Sequence, residues 1–381
     1  MNPPRATPRQ LVVSSSSSSQ HNNVAPSITS SSSSSRQQPA ASSSASQRNY
    51  GAIAPPYQQL TASYYYYNEL HAPPHYRFQC PYYSYLSYQP IYLPTPHRSQ
   101  HIQIRRVGRR NFAAEAARIR HFIRDTQYNV VSMDTEYPGT VYSSADPKDR
   151  HPAAQYALMK SNVDELALIQ VGLTLSDVSG NLATLDNTNQ VVVWEFAISD
   201  FNPHVHKYVP ESIDMLKSRG LNLEFHKQEG IHSHEFAQML VYTGLVQVPG
   251  IDTRVQPDKE VRWITFHGAY DFGYLIKALT RRNLPAKLQD FIELVRIYFG
   301  RHVYDIKIIS RYCYDEATGK ILCGGLDEIA SKLGTRRILG DRHQAGSDSL
   351  VTFQVFKALK NTYLSDDVEI ACAGHIYPLA N

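Results

Sequence analysis

A single α/β domain, a mixed sheet covered by helices and preceded by a long unfolded tail, is what this 381-residue sequence predicts. Three observations lead there. Composition breaks sharply near residue 98. Beyond the break, apolar segments of strand character come first, and helical and strand segments then alternate. The helical segments carry their apolar residues on one face, as helices that cover a sheet must.

The tail is taken as residues 1–98, the domain as 99–365 and a C-terminal extension as 366–381. The first fifty residues hold seventeen serines, and residues 50–92 hold twelve tyrosines, including "YYYY" at 64–67. Such tracts lack the aliphatic side chains that would offset ordering entropy, so disorder is expected, with some stickiness from the tyrosines. Residues 1–98 carry six arginines against the single acid Glu69; the rest holds 32 basic against 33 acidic residues. The basic balance therefore sits in the tail, and a near-neutral domain is not a simple basic nucleic-acid module.

Within the domain, "RNFAAEAARIRHFI" (110–123) reads as an opening amphipathic helix. The strand "VVSMDTE" follows, then "LALIQVGLTL" (166–175) and "QVVVWEFAI" (190–198). Three sequential strands joined through turn-rich sequence predict an antiparallel meander. Residues 210–245 read as helical, "VRWITFHG" (261–268) as a strand, and "AYDFGYLIKALT" and "KLQDFIELVRIYF" as helices. "HVYDIKII" (302–309) reads as a short strand, and "GGLDEIASKLG" and "SDSLVTFQVFKALK" as closing helices.

Four places draw attention as chemistry. Asp134 and Glu136 lie two apart in the first strand, so their side chains share a face. Burying two carboxylates side by side is costly unless something positive lies between them. Asp271 opens the helix after "WITFHG", and His343 and Asp348 stand in "DRHQAGSDSL". Each has a plainer reading: Asp271 as a helix cap, His343 as a loop histidine, Asp348 as a helix-end acid, Asp134 and Glu136 as a polar sheet edge. Together these plainer readings weaken, because one fold would have to bury several unrelated acids without benefit.

The ordered pattern D-x-E, distant Asp, H-x4-D resembles the His-containing branch of the DEDD exonucleases, which implies a ribonuclease-H-like fold. "SMDTEYPG", "FHGAYDFGYLIKAL" and "HQAGSDSLVT", with "NVDELALIQVGLTL", "WEFAISDFN" and "YDIKII" between them, are similar to the Pop-type deadenylase subunit of the CCR–NOT complex, in a plant-type form with Tyr137. The likeness covers roughly residues 100–365. It implies a 3′-to-5′ exoribonuclease that shortens poly(A) tails of mRNA and releases AMP with two divalent ions, Mg²⁺ or Mn²⁺. It also implies the ligand set: Asp134, Glu136 and Asp348 at one ion, Asp134 and Asp271 at the other, with His343 as general base. The implied partners are poly(A) RNA, the large NOT scaffold subunit and a second deadenylase. Asp305 is expected to be structural or to support the site, His267 to be structural, and Tyr137 to stack on a base or to pack.

A DEDD nuclease acting on DNA or short oligonucleotides, and a scaffold whose nuclease site is idle, remain alternatives. The four cysteines form no C-x-x-C pair, which suits a reducing compartment. Cytoplasmic and nuclear placement is expected. An organelle transit peptide is the alternative for the Ser-rich, acid-poor N-terminus, weakened because serine runs are not an amphipathic helix. No apolar run approaches a membrane span, so no membrane partner is expected.

Overall fold

The computed structural model describes residues 101–144, 146, 148–185, 189–248, 260–315 and 319–380. The expectation of disorder over residues 1–98 lies outside the described residues. In chain order the elements are β1 (His101–Val107), α1 (Phe112–Asp125), β2 (Val130–Glu136), α2 (Pro152–Glu165), β3 (Gln170–Ser176) and β4 (Gln190–Ala197). Next come α3 (Pro210–Ser218), α4 (Leu223–Glu229), α5 (Ser233–Thr243), β5 (Arg262–Thr265), α6 (Ala269–Thr280) and α7 (Leu288–Phe299). The chain then forms β6 (Val303–Asp305), α8 (Ile306–Ile309), the ribbon β7 (Tyr314–Asp315) and β8 (Lys320–Ile321), α9 (Leu326–Lys332), α10 (Ala345–Thr362) and α11 (Asp366–Cys372).

Six strands form one mixed sheet in the order β1-β4-β3-β2-β5-β6. The expected meander is present: β2 pairs antiparallel with β3, and β3 with β4. β1, β5 and β6 add on in parallel at its two sides. This is the mixed α/β architecture that the sequence predicts, and both faces of the sheet are covered. Along β2 only Asp134 escapes full burial. Trp194 and Trp263 are wholly buried, each contributing at least the ~1.5–3 kcal/mol of a large apolar side chain.

Several element boundaries differ from expectation, each for a physical reason. β1 is an edge strand whose "HIQIRRV" mixes arginines with isoleucines, so period-2 hydrophobicity is diluted. α2 has its apolar residues spread around the helix, so the sequence pattern does not predict it; it nevertheless buries Tyr156, Met159 and Val163. Residues 210–245, read as helical, form three helices. Strand 261–268 ends at Thr265, where the chain turns into a left-handed His267 (φ 66°). Strand 302–309 ends at Asp305, whose side chain accepts from Lys307 N and turns "IKII" into a helical turn despite its β-branched residues. Residues 366–380 pack onto the domain: Cys372, Ile376 and Leu379 are buried, and Gly374 N donates to Val303 O at 2.8 Å.

α10 crosses β2 and β3, and its first turn touches the sheet at Gly172. A Cβ at Gly172 would lie 1.8 Å from Ala345 O. Only glycine admits that approach, and it fixes where the helix carrying Asp348 meets the strand carrying Asp134, since Gly172 is the register partner of Asp134.

Candidate active site

Asp134 and Glu136 project from the C-terminal end of β2 into a cleft of about 650 Å³. Thr135, Tyr137, Met215, Phe266, His343 and Asp348 are among its other walls. Glu136, His343 and Asp348 each place one ligand-type atom within 4.8 Å of the others. Asp134 borders this group. Asp271 sits behind it, 6 % exposed and not part of the cleft wall. It is the third residue of α6, not its cap, which is Gly268. The Thr135 hydroxyl, on the opposite face of β2 from its neighbours, donates to Asp271 Oδ1 at 2.5 Å. All five residues singled out in the sequence thus gather at one end of the sheet, Glu136, His343 and Asp348 most tightly and Asp271 most deeply.

The electrostatics are those of an acid cluster that a single guanidinium, Arg337 on Asp348, only partly balances. Burial first, then the charges of Asp348, Glu136 and Asp271, push Asp134 well above the carboxylate range; Arg337 opposes the rise. Glu136 is driven up well above its usual value by burial and by Asp348, Asp271 and Glu195. Asp271 rises to about 7 through burial, with the Thr135 hydrogen bonds pulling the other way. Asp348 is also raised by burial, against the pull of Arg337. Among the described residues no hydrogen-bond donor reaches the side-chain oxygens of Asp134 or Glu136. Carboxylate oxygens that are crowded, desolvated and unfilled fit hard divalent cations such as Mg²⁺ or Mn²⁺, and the absence of thiolates argues against a zinc centre.

His343 is exposed at the cleft mouth in the left-handed region (φ 62°), and its backbone N–H donates to Asp348 Oδ2 at 2.8 Å. Tyr137 packs: its ring lies 5.1 Å from Tyr270, nearly parallel at 12°, and it also lines the cleft. His267 stands edge-on to Tyr377, and burial lowers its pKa to about 4.

Three neighbours escaped sequence reading. Thr135 anchors Asp271. Glu195, 4 % exposed, is the register partner of Gly172 and accepts from Gly346 N at 3.3 Å, tying the α10 start to β4. An acid inside "VVVWEFAI" was a readable signal. Arg337, paired with Asp348 at 2.5 Å, gave none: "TRRI" does not distinguish it from exposed Arg336.

A mixed α/β sheet with an acid-lined cleft at the end of β2 defines a ribonuclease-H-like protein. A family model described as CAF1 family ribonuclease matches residues 107–239, the stretch that contains Asp134 and Glu136. The chain is 37 % identical over 268 residues to probable CCR4-associated factor 1 homolog 7 of Arabidopsis thaliana, spanning 70 % of this chain and 90 % of that protein. It is 36 % identical over 289 residues to poly(A) ribonuclease pop2 of Schizosaccharomyces pombe, spanning 74 % and 77 %. Among solved structures, S. pombe Pop2p in its Mg²⁺- and Mn²⁺-bound form superposes with a TM-score of 0.61 at 35 % identity, covering 72 % of this chain and 99 % of that one. Yeast CAF1 co-crystallised with the NOT1 MIF4G domain gives a TM-score of 0.56 at 30 % identity, covering 75 % and 100 %. The chain belongs to the CAF1 family of ribonucleases.

Proposed function

We propose that this protein is a 3′-to-5′ exoribonuclease that shortens poly(A) tails and releases AMP, working as a catalytic subunit of a CCR4–NOT complex and promoting mRNA decay. The observation that carries the reading is the gathering of Asp134, Glu136, His343 and Asp348 at one cleft, with Asp271 buried behind it. The metal-bound S. pombe relative and the relative co-crystallised with NOT1 support the divalent-ion requirement and a NOT-type scaffold partner. A second deadenylase as a further partner, and cytoplasmic and nuclear placement, belong to the proposal.

In this site Asp134, Glu136 and Asp348 would hold one divalent ion, and Asp134 with Asp271 a second. When bound, the ions supply the positive charge that stabilises the attacking and leaving oxygens at phosphorus. The rest is the work of the chain. The Thr135 hydroxyl fixes Asp271 Oδ1. The backbone N–H of His343 fixes Asp348 Oδ2. His343, at the cleft mouth, would accept a proton from a water entering beside the scissile phosphate. Tyr137 and Phe266 offer aromatic surface to the terminal base.

The test is a comparison of 5′-labelled RNAs ending in A20 or in other bases, incubated with the full chain with and without Mg²⁺. Stepwise shortening confined to the A20 end, and abolished by a chelator, is expected. Equal loss from all ends, or from DNA, would instead favour a general exonuclease. Intact RNA with Mg²⁺ present would favour the scaffold reading.

A further inference from the structure

Arg337 sits in the loop between α9 and α10, outside the acid cluster, and its guanidinium is fully used. Nε and Nη2 grip Asp327 at 3.2 and 3.0 Å in a two-pronged contact. Nη2 also donates to Asp348 Oδ1 at 2.5 Å. Nη1 donates to Ser347 Oγ at 2.5 Å and to Asp341 O at 3.2 Å. Five donors meet five acceptors, a planar fork that a lysine ammonium cannot reproduce. The side chain is 13 % exposed.

Those acceptors lie on every piece of structure that presents this half of the site. Asp327 belongs to α9, Asp341 to the loop before His343, and Ser347 and Asp348 to the first turn of α10. Asp348 is held at both oxygens, Oδ1 by Arg337 and Oδ2 by the backbone of His343. The loop is anchored a second time by Ser347 Oγ, which donates to Leu339 O at 2.6 Å. A carboxylate held by one directed donor on each oxygen has a fixed plane, and its remaining lone pairs have fixed directions.

We propose that Arg337 is the positioning residue for the Asp348–His343 half of the site, aiming the Asp348 carboxylate and setting the loop that carries His343. This rests on the reading of Asp348 as a metal ligand. Arg337 does not touch substrate or reacting atoms; it acts through Asp348. A guanidinium that merely tied down a loop would affect folding and leave cation affinity alone.

The experiment uses the full chain as wild type, Arg337→Lys, Asp348→Asn and the double variant. Mn²⁺ binding is measured by calorimetry without RNA, alongside single-turnover cleavage of labelled oligo(A) at saturating Mn²⁺. Arg337→Lys keeps the charge and loses the fork, so Mn²⁺ affinity should fall ~10–100-fold, the usual effect of losing a partner that orients a ligand. In the Asp348→Asn background the same change should cost less than about twofold, because the path through Asp348 is already gone. An Arg337→Lys protein that binds Mn²⁺ within about twofold of wild type, while Asp348→Asn weakens binding, overturns the proposal and leaves the metal site standing. If Asp348→Asn itself leaves Mn²⁺ binding unchanged, the metal-site reading falls and the proposal falls with it. Should Arg337→Lys not fold, Asp327→Asn loosens the anchored side of the fork and should lower Mn²⁺ affinity in the same direction. Unchanged affinity in a folded Asp327→Asn protein also overturns it.

Discussion

Asp305 and Asp134 are both carboxylates at the buried end of a strand in the same sheet, yet the protein treats them in opposite ways. Asp305 is wholly buried and accepts four backbone N–H groups: His267 at 3.0 Å, Gly268 at 2.9 Å, Lys307 at 2.9 Å and Tyr377 at 3.0 Å. Burial lifts its pKa to about 6, and those four donors hold it from rising further. Asp134 and Glu136 receive no such donors and rise well above their usual range. A buried acid whose oxygens are filled by the backbone is architecture. One whose oxygens face a cleft unfilled is waiting for a cation. Asp305 stitches the turn before α6, the start of α8 and the C-terminal segment into one knot, so it supports Asp271 from a distance.

The largest expected effect breaks the comparison at its functional side. Asp134→Ala should lower turnover by at least ~10³-fold, because a shared metal ligand and its transition-state charge stabilisation go together. The same change should leave the metal-free fold intact or more stable by on the order of 1 kcal/mol, since one repelling carboxylate has gone. Near-normal deadenylation by Asp134→Ala would show that the acid cluster is not the site.

His343→Ala should come next, lowering the single-turnover rate ~10²- to 10⁴-fold as a positioned base does. Mn²⁺ affinity should barely change, because His343 touches Asp348 through its backbone. Asp348→Asn, five residues on, should weaken Mn²⁺ binding and regain rate as metal is raised. Full rescue of His343→Ala by metal, or full activity without it, would remove the imidazole from proton transfer.

The architectural acid should behave in the reverse sense. Asp305→Ala strands four backbone N–H groups, that of buried Gly268 among them, and should cost on the order of 3 kcal/mol in urea unfolding, with turnover per folded molecule changed only severalfold. If Asp305→Ala unfolds no more easily than wild type but loses Mn²⁺ binding, the two acids have been sorted wrongly.

How much of this was legible depends on what each residue needs from its neighbours. The meander was readable because β2, β3 and β4 are sequential and apolar. The acid pair of β2 was readable because a charge inside a buried strand violates its surroundings. Asp305, an acid ending "VYD", has the same local pattern; a structural or supporting role is expected of it from the sequence, and the donors from His267, Gly268 and Tyr377 give the physical reason. Arg337 was invisible, because its meaning lies in where Asp327, Asp341, Ser347 and Asp348 converge. β1 and α2 were missed because their apolar residues do not fall on a clean period, and tertiary burial decides their state instead.

The smallest expected effect is a slope, and it sharpens the comparison most finely. Burial raises Asp271 to about 7 in the folded protein and drives Asp134 and Glu136 well above their usual range, whereas unfolded carboxyls titrate near 4. Between those values the folded state holds protons that the unfolded state has released, so stability falls as pH rises. Below about pH 6.5 the reading is mixed, because His226 and His267, both lowered to about 4, lose stability in the opposite direction, as pH falls. Above about pH 8 the buried thiols Cys313 and Cys372, raised to about 12 and about 11, begin to add their own loss. From pH 6.5 to 8, then, the metal-free protein should lose on the order of 1 kcal/mol, read from denaturation midpoints in a chelating buffer. Mn²⁺ competes with the same protons, so its stabilising effect should grow across that window. Asp134→Asn should flatten the slope, and Asp305→Asn should leave it nearly unchanged, since Asp305 has already lost its proton near pH 6. A metal-free protein whose stability is flat or rising from pH 6.5 to 8 would mean that the cluster is ionised and satisfied without any cation.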